Sequence, residues 1–279
     1  MTARTGKAPF DSLPVVRDLS TAYALTLLVA VFMSVVSLGG LFYPATIYPS
    51  DSLRQTYLAN DVMNLLIGTP ALLACSWLAR RGRLIGLLCW PGALLYVLYN
   101  YLAYLIGMPR GLVTLPSLAL VLLSAALMFA VLNAIDGKTV REQLSGSVPA
   151  RISGAILVVF GAIFLIRAAG MLADTRALHT LPMHPEIGVL TADMVLSALW
   201  IASGVTLLLR RPMGYASGMA ALFVGCALFL GLMLFMLLQP LITEAPFDPV
   251  GLLVVFAMGL VCFVPAGLFM RGVLLQGKQ

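Results

Sequence analysis

The chain has 279 residues, of which 61% are hydrophobic and only 10% charged, with a mean hydropathy of +1.01. Soluble domains carry about 25% charged residues, so a soluble fold of this length is excluded and lipid must be the solvent for most of the surface. The net charge of +6 does not point to nucleic acid, because the Lys and Arg residues close apolar runs and form no basic stripe with interleaved aromatics.

Residues 1–20 read as a short polar tail. The run from Thr21 to Phe42 is longer than the apolar region of a signal peptide, about 7–15 residues, and is read as a retained first span. Thr26, Ala30 and Ser34 form a small-residue face on it, suited to close helix packing. Residues 43–58 hold two prolines and three tyrosines and read as an interfacial loop. A second span is expected over 59–79, kinked at Pro70 and closed by Arg80-Arg81. Asp61, Asn64 and Gly68 share one side of it at helical-turn spacing. The third span, 84–107, carries Tyr96, Tyr99, Asn100, Tyr101 and Tyr104 toward its end, and the fourth covers 112–134. A polar linker, 136–150, marks the middle of the chain.

In the second half, a fifth span over 152–172 has Gly154, Gly161 and Ala168 at seven-residue spacing, a stripe that could seat a neighbouring helix. Arg167 interrupts it near its far end. A long loop, 173–189, precedes a sixth span over 190–209, which has Asp193 near its start and Arg210-Arg211 at its end. The seventh and eighth spans cover 213–238 and 250–270.

The expected fold is therefore all-α, with eight transmembrane helices. All but four of the 17 Lys and Arg (Arg54, Arg110, Arg167 and Arg176) fall on the side of both termini, so the positive-inside rule puts the termini in the cytoplasm of a cell membrane. The halves, 21–135 and 151–271, also look alike. Arg80-Arg81 aligns with Arg210-Arg211 at an offset of 130, and Asp61 with Asp193 at 132. Two pseudo-repeated four-helix units would share one orientation, related by an axis along the membrane normal.

Ionisable residues at membrane depth are functional candidates by default. Asp61 and Asp193, near the starts of their expected spans, read equally as helix N-caps, with Thr191 an alternative cap for the second. Arg167 reads as one half of an ion pair with Asp193, Asp61 or Asp174, or as an anion clamp. Asp61, Asn64, Asn100, Tyr101 and Tyr104, with Arg167 and Asp193, make the candidate binding set for a small-molecule or lipid ligand. Asn100 needs a hydrogen-bond partner at depth, with Asn64 or Asp61 within expected reach.

His179 and His184 are weak metal candidates, because their spacing fits no established zinc pattern. The four cysteines fall inside apolar runs and read as packing residues. No GxSxG, HExxH, Walker A or dinucleotide-binding glycine pattern occurs, and no span contains histidine for haem ligation. No cofactor is called for. The leading expectation is a carrier or transporter subunit with an outer-leaflet polar pocket. A non-catalytic sensor or assembly subunit, with a homo-oligomer or a partner membrane subunit, comes second. An envelope enzyme on a lipid-linked substrate, with Asp61 or Asp193 as base, comes third.

Overall fold

The structure, a computed structural model, describes residues 13–177, 184–242 and 246–276, almost all of them helical. Its helices are α1 (Ser20–Phe42), α2 (Pro44–Ile47), α3 (Asp51–Met63), α4 (Thr69–Arg80), α5 (Leu84–Gly107), α6 (Thr114–Ala134), α7 (Gly137–Leu144), α8 (Ala150–Ala177), α9 (His184–Leu208), α10 (Pro212–Ile242) and α11 (Pro249–Gln276). A π-helical turn, Asn64–Gly68, joins α3 to α4, so Asp51–Arg80 forms one spanning unit. Eight helices among the described residues are long and apolar enough to cross a membrane.

The π turn has a local cause. Pro70 has no N–H to give the carbonyl four residues back. The chain widens just ahead of it, and Thr69 N donates to Asn64 O instead.

The bundle is apolar outside as well as inside. Leu27, Val31, Leu122 and Val254 are among many large hydrophobics exposed around its circumference, as lipid contact requires. The exception is α5. Of its most apolar stretch, 83% is buried within the protein, against 44% or less for the other seven spans. It packs on α4, α6, α9 and α10 and forms the central post of the molecule. Small residues set the closest crossings. A Cβ at Gly92 of α5 would overlap the Ala220 carbonyl of α10. The Gly154, Gly161, Ala168 stripe of α8 seats α9: a Cβ at Gly154 would lie 2.8 Å from Gly204 O, and one at Gly161 2.8 Å from Ser197 O.

The N-terminal segment, the linker and the end of α11 gather on one face. Val15 pairs with Ile135, Asp136 N donates to Pro14 O (2.8 Å), and Gln276 Nε2 donates to Ser147 Oγ (2.7 Å). We call this the terminal face and its opposite the far face. Part of the linker expected at 136–150 is helical: α7 is capped by Asp136, whose carboxylate accepts from Lys138 N and Thr139 N.

Two expected boundaries change, with consequences for the acids. The loop expected over 43–58 is mostly helix, because Ser50 caps α3 by accepting from Leu53 N. The amphipathic turns SLRQTYLA then extend the second span beyond its apolar part. Likewise α9 begins at His184, not near 190, and Thr191 Oγ1 donates back to Ile187 O (2.8 Å) within it. Asp61 and Asp193 are therefore not N-caps. Each lies more than two turns inside its helix.

Candidate functional site

Asp61 sits at the junction of α1, α3, α5 and the chain just after α2, and it is fully buried. The Tyr48 hydroxyl donates to its Oδ2, and the Tyr104 hydroxyl lies 3.0 Å from its Oδ1. Ser37 is a further hydrogen-bonding neighbour. Asn64 Nδ2 donates to Ser37 Oγ (3.2 Å), which lies 3.3 Å from the Tyr101 hydroxyl. Asn60 Nδ2 donates to Tyr104 Oη (3.3 Å). The Tyr104 ring lies between a tilted Tyr57 and a stacked Tyr101, with ring centroids 4.4 and 5.4 Å away, and the three rings seal the cluster. Burial, and then the Asp61 carboxylate, push the Tyr48 phenol far above the usual tyrosine range, so it stays a neutral donor.

A buried carboxylate needs charge partners or several donors. No Lys or Arg pairs with Asp61 among the described residues, so the phenols and Ser37 carry that task. One atom of the network, Asn64 Oδ1, is buried without a partner. The cluster is buried, and neither Asp61 nor Asn64 lines the cavity beside the second acid.

The second acid is different. Asp193 of α9 is also buried, but it accepts from the Tyr99 hydroxyl of α5 (2.9 Å) and from Arg167 Nη1 of α8 (2.9 Å). The ion pair is lopsided: the Asp193 side chain is 4% exposed and that of Arg167 51%. Between α3, α5, α8, α9 and α10 lies a cavity of about 280 Å³, in the half of the bundle toward the far face. Among the described residues, Asp193 is the only charged side chain in its lining. Asn60, Asn100 and Thr56 add polar groups, and seven aromatic side chains, among them Tyr99, Phe164, Trp200 and Phe235, stand among the otherwise largely aliphatic lining.

The residues singled out from the sequence thus fall into two groups. Asp61, Asn64, Tyr101 and Tyr104 belong to the buried cluster, whereas Asp193 and Asn100 line the cavity, with Arg167 behind the carboxylate. Asn100 does not reach Asn64 or Asp61; its Nδ2 donates to Tyr96 O (2.9 Å) within α5. Asn60 connects the groups, touching Tyr104 on one side and the cavity on the other. His179 lies outside the described residues, as does the side chain of His184. Sequence reasoning missed Tyr48, Ser37 and the Phe and Trp part of the wall, Phe164, Trp200, Phe229 and Phe235. Tyr48 had the only legible signal, as one of three tyrosines in a segment otherwise read as loop.

A wider groove on the terminal face, about 1230 Å³, runs between the N-terminal segment, α1 and α4. Its only buried polar side chain, Ser76, is spent on Leu73 O of its own helix (3.1 Å), so the groove has no built site. Set against known protein families, curated proteins and solved structures, the chain matches none.

Proposed function

We propose that the protein is a carrier, or the ligand-binding subunit of a membrane transporter, for a small amphipathic molecule held in the cavity between its halves. The single observation behind this reading is that cavity: mostly apolar, with seven aromatic side chains, about 280 Å³, with one buried carboxylate and two amides in its wall. Ligand sites are typically apolar pockets of about 300–1,000 Å³ with a few placed polar groups. The size suits a small molecule or one lipid moiety better than a whole two-chain lipid.

We read the bundle as two pseudo-equivalent four-helix units, with the cavity at their seam. Several features support this. In the first half α1 packs on α3, α4 and α6, and α5 on α4 and α6; in the second, α8 packs on α9 and α11, and α10 on α9 and α11. At the seam α5 meets α10, and the touching residues, Gly92 and Ala220, are 128 apart, close to the offset that aligns the arginine pairs. The charge bias favours cytoplasmic termini in a cell membrane, which makes the far face external and the cavity an outer-leaflet site.

The buried cluster at Asp61 reads as a structural keystone in this scheme. A purely structural subunit would have only such clusters, and the cavity beside Asp193 favours the carrier.

The test uses the full chain extracted with its native lipid, followed by mass spectrometry of retained small molecules. Gly231 lines the cavity, and a Cβ there would have nothing nearer than 3.9 Å, so Gly231→Phe fills the space from an unstrained position. The wild type should retain a small amphipath that Gly231→Phe lacks. Identical contents in both would sink the proposal.

A further inference from the structure

The geometry points to a small organic cation, a protonated amine on an apolar or aromatic body, as the ligand class of the cavity, with Arg167 as the internal group it displaces. This rests on the carrier reading above and adds the sign of the ligand's charge.

The cavity wall is electrically one-sided. Among the described residues, Asp193 is the only charged one in its lining, and no Lys or Arg lines it. Tyr96, Tyr99, Phe164, Trp200 and Phe229 surround the space with ring systems, whose faces attract cations and repel anions. An anion would enter beside a carboxylate and meet no cationic group among the described residues of the wall. A neutral ligand would leave the carboxylate unused.

Arg167 completes the case. It reaches the carboxylate on Oδ2 while Tyr99 holds Oδ1, so one oxygen is fixed by the cavity wall and the other by a removable partner. The carboxylate is buried and belongs to the wall; the guanidinium is half exposed and does not. Long arginine side chains move their charged heads to the interface readily. A ligand ammonium arriving in the cavity can take over Asp193 while Arg167 swings outward. The carboxylate stays paired throughout, which avoids the cost of an uncompensated buried charge. The empty carrier is then neutralised by its own arginine, and the loaded one by its ligand.

The experiment compares three isosteric probes on the full chain in lipid nanodiscs: 2-phenylethylamine, 2-phenylethanol and phenylacetate, read by calorimetry and thermal shift. The amine should bind, and the alcohol and carboxylate should bind at least roughly tenfold more weakly, on the scale of close charge-pair coupling. Asp193→Asn should abolish that preference. Arg167→Gln removes the competitor and should tighten amine binding by roughly tenfold. If Arg167→Gln fails to fold by itself, purification with 2-phenylethylamine should rescue it and 2-phenylethanol should not. Rescue by neither probe overturns the proposal.

An anion clamp gives the opposite signs: phenylacetate binds best and Arg167→Gln loses it, and that result also overturns the inference. If Gly231→Phe still empties the cavity of a retained molecule but the three probes bind alike, the carrier reading stands and the cation class falls. If no probe binds and nothing is retained, both fall.

Discussion

Gly40 of α1 lies directly against the Asp61 carboxylate of α3. A Cβ at position 40 would overlap Oδ2 and fall 2.6 Å from the Tyr48 hydroxyl. The bare backbone there lets a carboxylate and a phenol meet inside the bundle. Gly40→Ala should therefore cost about 1–3 kcal/mol through overpacking. Asp61→Ala should cost about 3 kcal/mol, because it strands buried hydroxyls. Tyr48→Phe should cost less than Asp61→Ala. Thermal unfolding in detergent checks the order, and an unchanged Gly40→Ala variant would contradict the packing.

The crossing of α5 and α10 makes a sharper contrast. At Gly92 the obstacle to a Cβ is the Ala220 backbone, which cannot rotate away as a side chain can. At Gly267 of α11 a Cβ meets nothing within 4 Å. Gly92→Ala should lower the unfolding temperature markedly, at a cost of about 3 kcal/mol or less. Gly267→Ala should leave it unchanged or raise it, since alanine favours the helix by about 0.5–1 kcal/mol. Equal effects would mean that α5 and α10 are not in contact at Gly92.

Filling the cavity separates binding from stability. Gly231→Leu should fold at least as well as the wild type, since it adds apolar atoms to open space, and should lose ligand-induced thermal stabilisation. A strong loss of stability would show that the space is already filled.

Strong acid should loosen the linker. The Thr139 side chain, then backbone N–H groups, hold the exposed Asp136 carboxyl below its usual 3.8. A group lowered in this way adds stability above its unfolded pKa and loses it as pH falls through the folded value. Asp136 should therefore support α7 at neutral pH and release it only in strong acid, below about pH 4. Hydrogen exchange of residues 137–144 should show that acid fraying, and Asp136→Ala should show it already at pH 7.

The spans are legible in the sequence because lipid demands long apolar runs, and α5 appears at the bounds expected, Leu84–Gly107. The start of α3 is not legible, because Asp51 to Asn60 are mostly polar and imitate a loop until Ser50 is seen capping them. That one error made Asp61 look like a helix cap. The level of Asp61 with the tyrosines of α5 could be worked out, since both depend only on helical rise. Tyr48 could not be found so, because its position depends on how the chain folds back after α2. The cavity was equally hidden, since an empty space between α3, α5, α8, α9 and α10 leaves no mark on any one of them.

The burial of α5 bears on how the protein is made. It is the least apolar of the eight spans, with tyrosines and Asn100 turned toward neighbours. Two of those neighbours, α9 and α10, belong to the second half of the chain. Tyr101 and Tyr104 find partners in the first half, and Asn100 bonds within α5. Tyr99 has its partner, Asp193, on α9, so until α9 is made that hydroxyl meets lipid unpaired, which is costly there. Its stable place in the bilayer waits for the second half. Chains truncated after residue 135 should show mixed topology of α5 in a glycosylation-mapping assay, and the complete chain a single one. If the truncated chain is uniform, α5 needs nothing from the second half to cross the membrane.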